Sequence, residues 1–178
     1  MNTVIIIIAV IAGLVALVLV IALFTQKDYS VNREIIINKP RPDVFNYIRY
    51  LKNQENYSKW VMMDPQMKKE FKGTDGTVGF IYAWDGNKAA GKGEQEIKRI
   101  KEGEKLEMEI RFEKPFEGIA SVPFVTESVS ADQTKVKWGM SSAMKYPMNF
   151  MLLFMNMDKM LGKDLEISLS NLKTILEK

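Results

Sequence analysis

The sequence of 178 residues contains neither cysteine nor histidine. Without these side chains there is no thiol nucleophile, no Ser-His-Asp triad, no thiolate zinc site and no His or Cys ligand for haem. Any acid–base chemistry would have to come from Asp, Glu, Lys or Tyr. The lack of cysteine also removes disulfides and leaves the redox compartment open. We therefore expect no metal site and no cofactor.

The chain also lacks a strong charge of either sign. Lys and Arg number 25 against 22 Asp and Glu, so the net charge is only +3, and no Lys/Arg run reaches five residues. A domain that binds nucleic acid usually carries a basic patch or stripe. The charge pattern therefore predicts no nucleic-acid partner.

One long stretch has no charge at all. Residues 4–24 read VIIIIAVIAGLVALVLVIALF, 21 residues with the single glycine Gly13. A helix of this length, at about 1.5 Å per residue, covers the roughly 30 Å hydrocarbon core of a bilayer. A cleaved secretory signal would begin with basic residues and end in a small-residue cleavage pattern. The chain has only Met-Asn-Thr before the stretch and no A-x-A pattern in residues 22–26. We favour an uncleaved single-pass anchor over a cleaved signal or a buried core helix.

Basic residues follow the apolar stretch, whereas only the α-amino group precedes it. They are Lys27, Arg33, Lys39 and Arg41. The positive-inside rule then places the C-terminal part on the cytoplasmic side of the membrane. We divide the chain into an anchor, residues 1–26, and a domain, residues 27–178, joined by a short polar connector over residues 25–30.

The domain shows an ordered succession of strand and helix patterns. A strand is predicted over residues 31–37, a helix from Pro42 and a short helix or turn over residues 53–60. Alternating segments follow at residues 77–84, 88–100, 106–112, 119–129 and 134–142, of which 88–100 is polar enough for an exposed or edge strand. Residues 147–177 are predicted as helical throughout, with a bend at Gly162. Strands grouped ahead of one long helix indicate an α+β fold.

This order resembles the START-like or SRPBCC superfamily, and within it the polyketide cyclase/dehydrase and lipid-transport branch. The matching residues are Ile35-Ile36-Ile37-Asn38-Lys39-Pro40 leading into Asp43-Val44-Phe45, Trp60, Gly79-Phe80-Ile81-Tyr82-Ala83-Trp84, Trp138-Gly139-Met140, and Asp164, Leu169 and Asn171-Leu172-Lys173. The resemblance covers about residues 29–176. The apolar stretch at residues 4–24 is not part of the common pattern.

The resemblance implies a helix-grip fold, in which a curved antiparallel β-sheet wraps around a long C-terminal α-helix and encloses a hydrophobic cavity. Family members hold lipids, sterols, polyketides or plant hormones in that cavity, and a minority are enzymes. The superfamily shares no catalytic motif, so we assign no catalytic residue.

We expect the cavity to be lined by inward-facing aromatic residues and methionines, which suit a hydrophobic ligand. The candidates are Trp60, Phe80, Tyr82, Trp84, Phe112, Phe116, Phe124, Trp138, Met140, Phe150, Phe154 and Met157. Each of them could instead be ordinary core. The candidate polar groups of the cavity are Arg111 and Asp158, considered together with Tyr82, Glu94, Glu96 and Glu113, most of which we expect on the solvated face.

Six of the twelve methionines lie within residues 144–160. On one continuous helix Met148, Leu152 and Met155 would fall on the polar side, so the first two turns would be apolar all round. Three explanations stay open. Loops or short helices cover these side chains, or they border a ligand portal with adaptable methionines, or they touch the bilayer or another subunit.

The leading functional hypothesis is a membrane-anchored carrier or sensor of a hydrophobic small molecule or lipid. The alternative is a cyclase- or dehydratase-type enzyme that uses a carboxylate or Tyr82 as its acid–base group in the same cavity. A third class is an interaction module that docks a protein partner at the membrane.

Overall fold

An apolar helix, α1 (Thr3–Phe24), precedes the folded domain in a computed structural model that describes residues 2–178. Its 22 residues extend about 33 Å at 1.5 Å per residue. No residue of its most apolar 18-residue window is buried, and Ala22 is the one buried residue of α1. The helix is therefore long and apolar enough to cross a membrane.

Seven antiparallel strands form a single curved sheet. The order across the sheet is β1-β7-β6-β5-β4-β3-β2, so that the first strand after α1 pairs with the last one. The strands are β1 (Asp28–Ile37), β2 (Lys68–Lys72), β3 (Ile81–Asp85), β4 (Lys92–Lys101), β5 (Lys105–Lys114), β6 (Gly118–Ser130) and β7 (Gln133–Ala143).

Helices cover the inner face of this sheet. The short ones are α2 (Arg41–Ile48), α3 (Gln54–Tyr57) and α4 (Lys59–Met62), and the long one is α5 (Met157–Leu176). Helix α5 packs across β1 and buries Leu165, Leu169 and Leu172 against the sheet. Sheet, short helices and gripped C-terminal helix together confirm the predicted α+β helix-grip fold.

The sheet differs from the sequence prediction in several places, and β2 (Lys68–Lys72) lies where the sequence predicts no strand. Strand β4 was predicted as an edge or exposed strand but lies between β3 and β5, and the edges are β1 and β2. Strand β3 begins at Ile81 rather than at residue 77, because Gly76 and Gly79 adopt positive φ angles of 78° and 86° and turn the chain there. The alternation of apolar residues continues through this turn, which is why it resembled strand.

The sequence predicts one continuous C-terminal helix over residues 147–177, but the structure has two separate elements there. Residues Met148–Leu153 form a 3-10 helix, and α5 begins only at Met157. The Asn156 side chain accepts a hydrogen bond from the Lys159 backbone N–H at 2.8 Å, which caps the new helix start. Gly162 does not interrupt α5, and its missing Cβ leaves the space that the Arg33 guanidinium fills. The helical wheel that set Met148, Leu152 and Met155 on a polar face therefore does not apply.

Candidate functional site: a cavity between sheet and helices

A cavity of about 160 Å³ lies between the inner face of the sheet, the short helices and α5. Its lining residues are mostly apolar: Gln54, Ser58, Trp60, Val61, Met67, Tyr82, Trp84, Ala90, Gln95, Ile110, Phe112, Val122, Trp138, Met140 and Leu161. Sites for drug-sized ligands usually measure roughly 300–1,000 Å³. This cavity accommodates a small molecule, or one end of a longer one, without movement of its walls.

Strand register brings the sheet part of the lining together. Tyr82 pairs with Gln95, Gln95 with Ile110, and Ile110 with Ala120, so that these residues form one row across four strands. Because side chains alternate between the two faces of a sheet, residues in one row share the inner face.

The adjacent row contributes Trp84 and Phe112, which flank Gly93. A Cβ on Gly93 would collide with the Arg111 backbone oxygen and the Trp84 ring, so glycine allows the indole to lie flat against β4. The Trp84 Nε1–H donates to the Ala90 carbonyl at 3.1 Å, and its ring meets Phe112 edge to face at 6.3 Å. One wall of the cavity is thereby fixed in orientation.

Trp138 forms the base of the cavity. Its ring stacks on Phe124 at 4.3 Å between centroids and meets Trp60 and Tyr57 edge to face at 5.8 and 6.0 Å. Aromatic pairs at these distances and angles contribute about 0.5–1.5 kcal/mol each beyond the area that they bury. The base of the cavity is therefore a rigid aromatic cluster.

Three lining residues carry polar atoms that have no hydrogen-bond partner among residues 2–178. They are the Gln54 Nε2, the Tyr82 hydroxyl and the Trp138 Nε1, and all three atoms are buried. Buried polar groups in proteins are nearly always paired, and leaving one unpaired costs about 1–3 kcal/mol. The residues that line the cavity thus carry two N–H groups and one hydroxyl that are unpaired within the described part of the chain.

Tyr82 is the one titratable side chain among these lining residues. Burial raises the pKa of its hydroxyl well above the ordinary value, and the nearby Glu55 carboxylate raises it further. The hydroxyl therefore stays protonated at neutral pH and acts as a hydrogen-bond donor or acceptor.

The structure separates the predicted lining residues into three groups. Trp60, Tyr82, Trp84, Phe112, Trp138 and Met140 line the cavity. Phe80 and Phe124 are fully buried in the core behind its walls, and Phe150 and Met157 are half-buried outside it. Phe116 is 66% exposed and Phe154 is 77% exposed. The expectation that these last six residues line the cavity is thus corrected by the packing.

The candidate polar groups Arg111 and Asp158 lie outside the cavity, which corrects their placement. Arg111 is on the outer face of the sheet and binds Glu94, Glu96 and Glu109 at 2.7, 2.7 and 2.6 Å. Its hydrogen bond lowers the pKa of the Glu96 carboxyl below its usual range.

Asp158 is exposed on the first turn of α5 and takes two hydrogen bonds from the Arg33 guanidinium, at 2.8 and 3.0 Å. The pKa of its carboxyl is lowered by this pairing with Arg33. Glu113 pairs with Lys92 at 2.6 Å. Among residues 2–178 no three acidic side chains are close enough to hold a metal ion.

The sequence prediction missed nine lining residues: Gln54, Ser58, Val61, Met67, Ala90, Gln95, Ile110, Val122 and Leu161. Ile110 lies in the alternating segment 106–112, but the sequence does not mark it as a site residue. Gln95 had a usable signal, because it alternates with Gly93 and Ile97 on the buried face of β4. Gln54 and Ser58 had none, since Gln54 lies in a helix of one turn and Ser58 between two such helices, where no apolar period can be recognised.

No protein-family model and no curated protein sequence matches the chain. Solved structures do match it. Protein CV1439 from Chromobacterium violaceum has a TM-score of 0.60 at 10% identity over 84% of this chain and 97% of that one. Truncated norcoclaurine synthase from Thalictrum flavum has a TM-score of 0.63 at 10% identity, over 85% and 95%.

A second norcoclaurine synthase structure from Thalictrum flavum, a complex with dopamine and hydroxybenzaldehyde, has a TM-score of 0.60 at 12% identity over 88% of this chain and 91% of that one. At identities this low the likeness shows the fold alone. The chain has the helix-grip fold that these structures share, an antiparallel sheet around a long C-terminal helix.

Proposed function

We propose that this protein binds or transports a hydrophobic small molecule or lipid in the cavity between the sheet and α5, while α1 holds it at a membrane. The proposal rests on one observation. The cavity has an apolar lining, and three of its lining residues, Gln54, Tyr82 and Trp138, each carry a polar atom without a hydrogen-bond partner. Such a site fits a guest that has an apolar body and at least one hydrogen-bond acceptor, for example a carbonyl or ether oxygen.

The energetics favour such a guest over water. Burial of its apolar surface contributes about 25 cal/mol per Å². Its acceptor gives the buried donors a partner, which relieves a cost of about 1–3 kcal/mol for each group. No cofactor or charge is needed for this affinity, and the volume of about 160 Å³ limits the guest to a small molecule or a chain end.

The anchor lies close to the cavity. Only residues 25–27 separate α1 from β1. The cavity row of Tyr82, Gln95 and Ile110 continues through Ala120 to Ser142, which pairs with Tyr29 near the start of β1. This proximity supports exchange of the guest with the bilayer. The positive-inside rule favours a cytoplasmic domain.

An enzyme of the cyclase or dehydratase type is the second candidate, and the unpaired Tyr82 hydroxyl is the observation in its favour. Norcoclaurine synthase shares the fold and has been seen with dopamine and hydroxybenzaldehyde bound. Here the raised pKa of Tyr82 suits a hydrogen-bond or proton donor rather than a general base at neutral pH.

The direct test is native mass spectrometry of the full-length chain, purified in detergent and released from its micelles. We expect a hydrophobic adduct that organic extraction can identify. A chain that carries no adduct, and whose melting temperature does not change across a panel of fatty acids, sterols and phospholipids, would contradict the binding proposal.

Tyr82→Phe should separate stability from binding. Because the hydroxyl has no partner in the unliganded protein, its removal should raise the free energy of unfolding by about 1 kcal/mol. The loss of one hydrogen bond should weaken binding of the extracted adduct by about threefold to tenfold. Tyr50→Phe, at an exposed tyrosine, is the matched control and should change neither quantity. A loss of stability in Tyr82→Phe would mean that the hydroxyl is already paired.

A further inference from the structure

The segment between β7 and α5 is attached to the end of α1. Asn149 is fully buried, and its Nδ2 donates to the carbonyls of Ala22 and Thr25 at 2.7 and 2.9 Å. The Tyr146 hydroxyl donates to the Leu19 carbonyl at 3.4 Å. We refer to residues 146–154, YPMNFMLLF, as the methionine segment.

The Asn149 contacts satisfy backbone groups that a helix end leaves open. The last four carbonyls of an α-helix have no partner within the helix. Asn149 supplies a donor for Ala22, and the Thr25 hydroxyl supplies one for Ile21 at 2.9 Å. The methionine segment is thereby held at a fixed position beside the last turns of α1.

The outer surface of the methionine segment is apolar and uncharged. Met148, Met151, Leu153 and Phe154 are exposed, and no residue of the segment carries a charge. Leu23 and Phe24, which are also exposed, follow Ala22, whose carbonyl Asn149 binds at the end of α1. Contiguous apolar surface of this kind marks an interaction site for protein or membrane.

The contact with α1 sets the depth of the segment. Leu19 precedes Phe24 by five residues, which is about 7.5 Å along the helix axis. Elements that lie in a membrane interface bury their apolar face about 5–10 Å into the boundary between headgroups and acyl chains. Tyrosine is enriched at the same level of the membrane, and Tyr146 lies in the segment.

We propose that the methionine segment lies in the interfacial layer of the bilayer that α1 crosses, with Met148, Leu153 and Phe154 against acyl chains. The inference rests on the part of the proposed function that places α1 in a membrane, and it does not depend on what occupies the cavity. The domain is then attached to the membrane both through α1 and through the methionine segment. The second attachment prevents rotation of the domain about residues 25–27. It also holds the first turns of α5, where Leu161 lines the cavity, next to lipid.

The absence of cysteine makes a direct test possible. Single cysteines replace Leu153, Phe154, Val15 and Val129 in the full-length chain and are labelled with an environment-sensitive nitrobenzoxadiazole fluorophore. Val15 reports on the span, and the exposed Val129 lies at the β6–β7 turn, away from α1. The chains are placed in vesicles of phosphatidylcholine and phosphatidylglycerol. The fluorescence of each label is then quenched by lipids that carry nitroxides at shallow or deep acyl positions, or by aqueous iodide.

We expect shallow nitroxides to quench the labels at residues 153 and 154, and we expect these labels to be protected from iodide. Deep nitroxides should quench the label at residue 15. Iodide alone should quench the label at residue 129. If residue 15 is in the bilayer but residues 153 and 154 are as accessible to iodide as residue 129, the segment is in water and the inference is wrong while the anchor stands. Protection from both quenchers at 153 and 154 would mean that protein covers the segment, which also overturns it. An aqueous residue 15 would reject the anchor and the inference together.

Discussion

Phe124→Ala is expected to lower the free energy of unfolding by about 3–5 kcal/mol. Phe124 is 0% exposed, and its ring stacks on Trp138 at 4.3 Å. The truncation removes the burial of a whole ring, leaves a void that the surrounding strands cannot close, and deprives Trp138 of its stacking partner. For a domain of this size the melting temperature should fall by roughly 10 °C. Chemical unfolding of the full-length chain in detergent, followed by tryptophan fluorescence, measures the loss.

The matched control is Phe116→Ala. Both phenylalanines were predicted from sequence to line the cavity, yet Phe116 is 66% exposed in the turn before β6. Its truncation should change the free energy of unfolding by no more than about 0.5 kcal/mol. Equal losses in the two variants would mean that Phe116 is covered in solution.

These two residues show what alternation in a sequence can reveal. The alternation of apolar and polar residues along each strand predicts that Phe80, Tyr82 and Phe124 lie on the inner face of the sheet, and all three are buried. It could not separate cavity wall from core, because that difference depends on where the helices on the inner face leave a gap. Phe116 lies in a turn, where no period applies.

The polar side of the site was harder to predict than the apolar side. Arg111 alternates with Ile110 and Phe112, so its position on the outer face follows from the same period that placed its neighbours inside. Its chemistry, a cation that can pair with a buried carboxylate, suggests a cavity residue, but its register places it outside. Gln54 and Ser58 are oriented by tertiary contacts, among them the hydrogen bond from the Lys59 backbone N–H to the Ser168 hydroxyl at 2.9 Å.

The helix break before α5 has a local cause that composition concealed. Residues 148–155 are apolar apart from Asn149, so the sequence pattern alone extended the helix through them. Asn149 and Asn156 decide otherwise: one side chain binds the end of α1, and the other caps the start of α5. The apolar stretch between these two asparagines is therefore held beside the end of α1 and does not continue α5.

Val122→Phe is expected to weaken binding in the cavity strongly. Val122 is buried on β6, pairs with Met108 and contributes its side chain to the lining. A phenyl ring at this position would fill much of a space of about 160 Å³ that otherwise accepts the guest. We expect the affinity for the extracted adduct to fall by more than tenfold, which corresponds to about 1.4 kcal/mol. Native mass spectrometry should show the variant without its adduct.

The stability of the same variant decides how the loss is interpreted. Inserting a larger side chain into a packed core costs about 1–3 kcal/mol, whereas filling an existing cavity raises stability by about 0.5–2 kcal/mol. Because the space exists, we expect the unliganded Val122→Phe protein to be at least as stable as the unsubstituted one. Val125→Phe, on the opposite face of the same strand, should leave the adduct in place. An adduct that survives Val122→Phe would have to bind outside the cavity, for instance along α1, and the cavity would then not be its site.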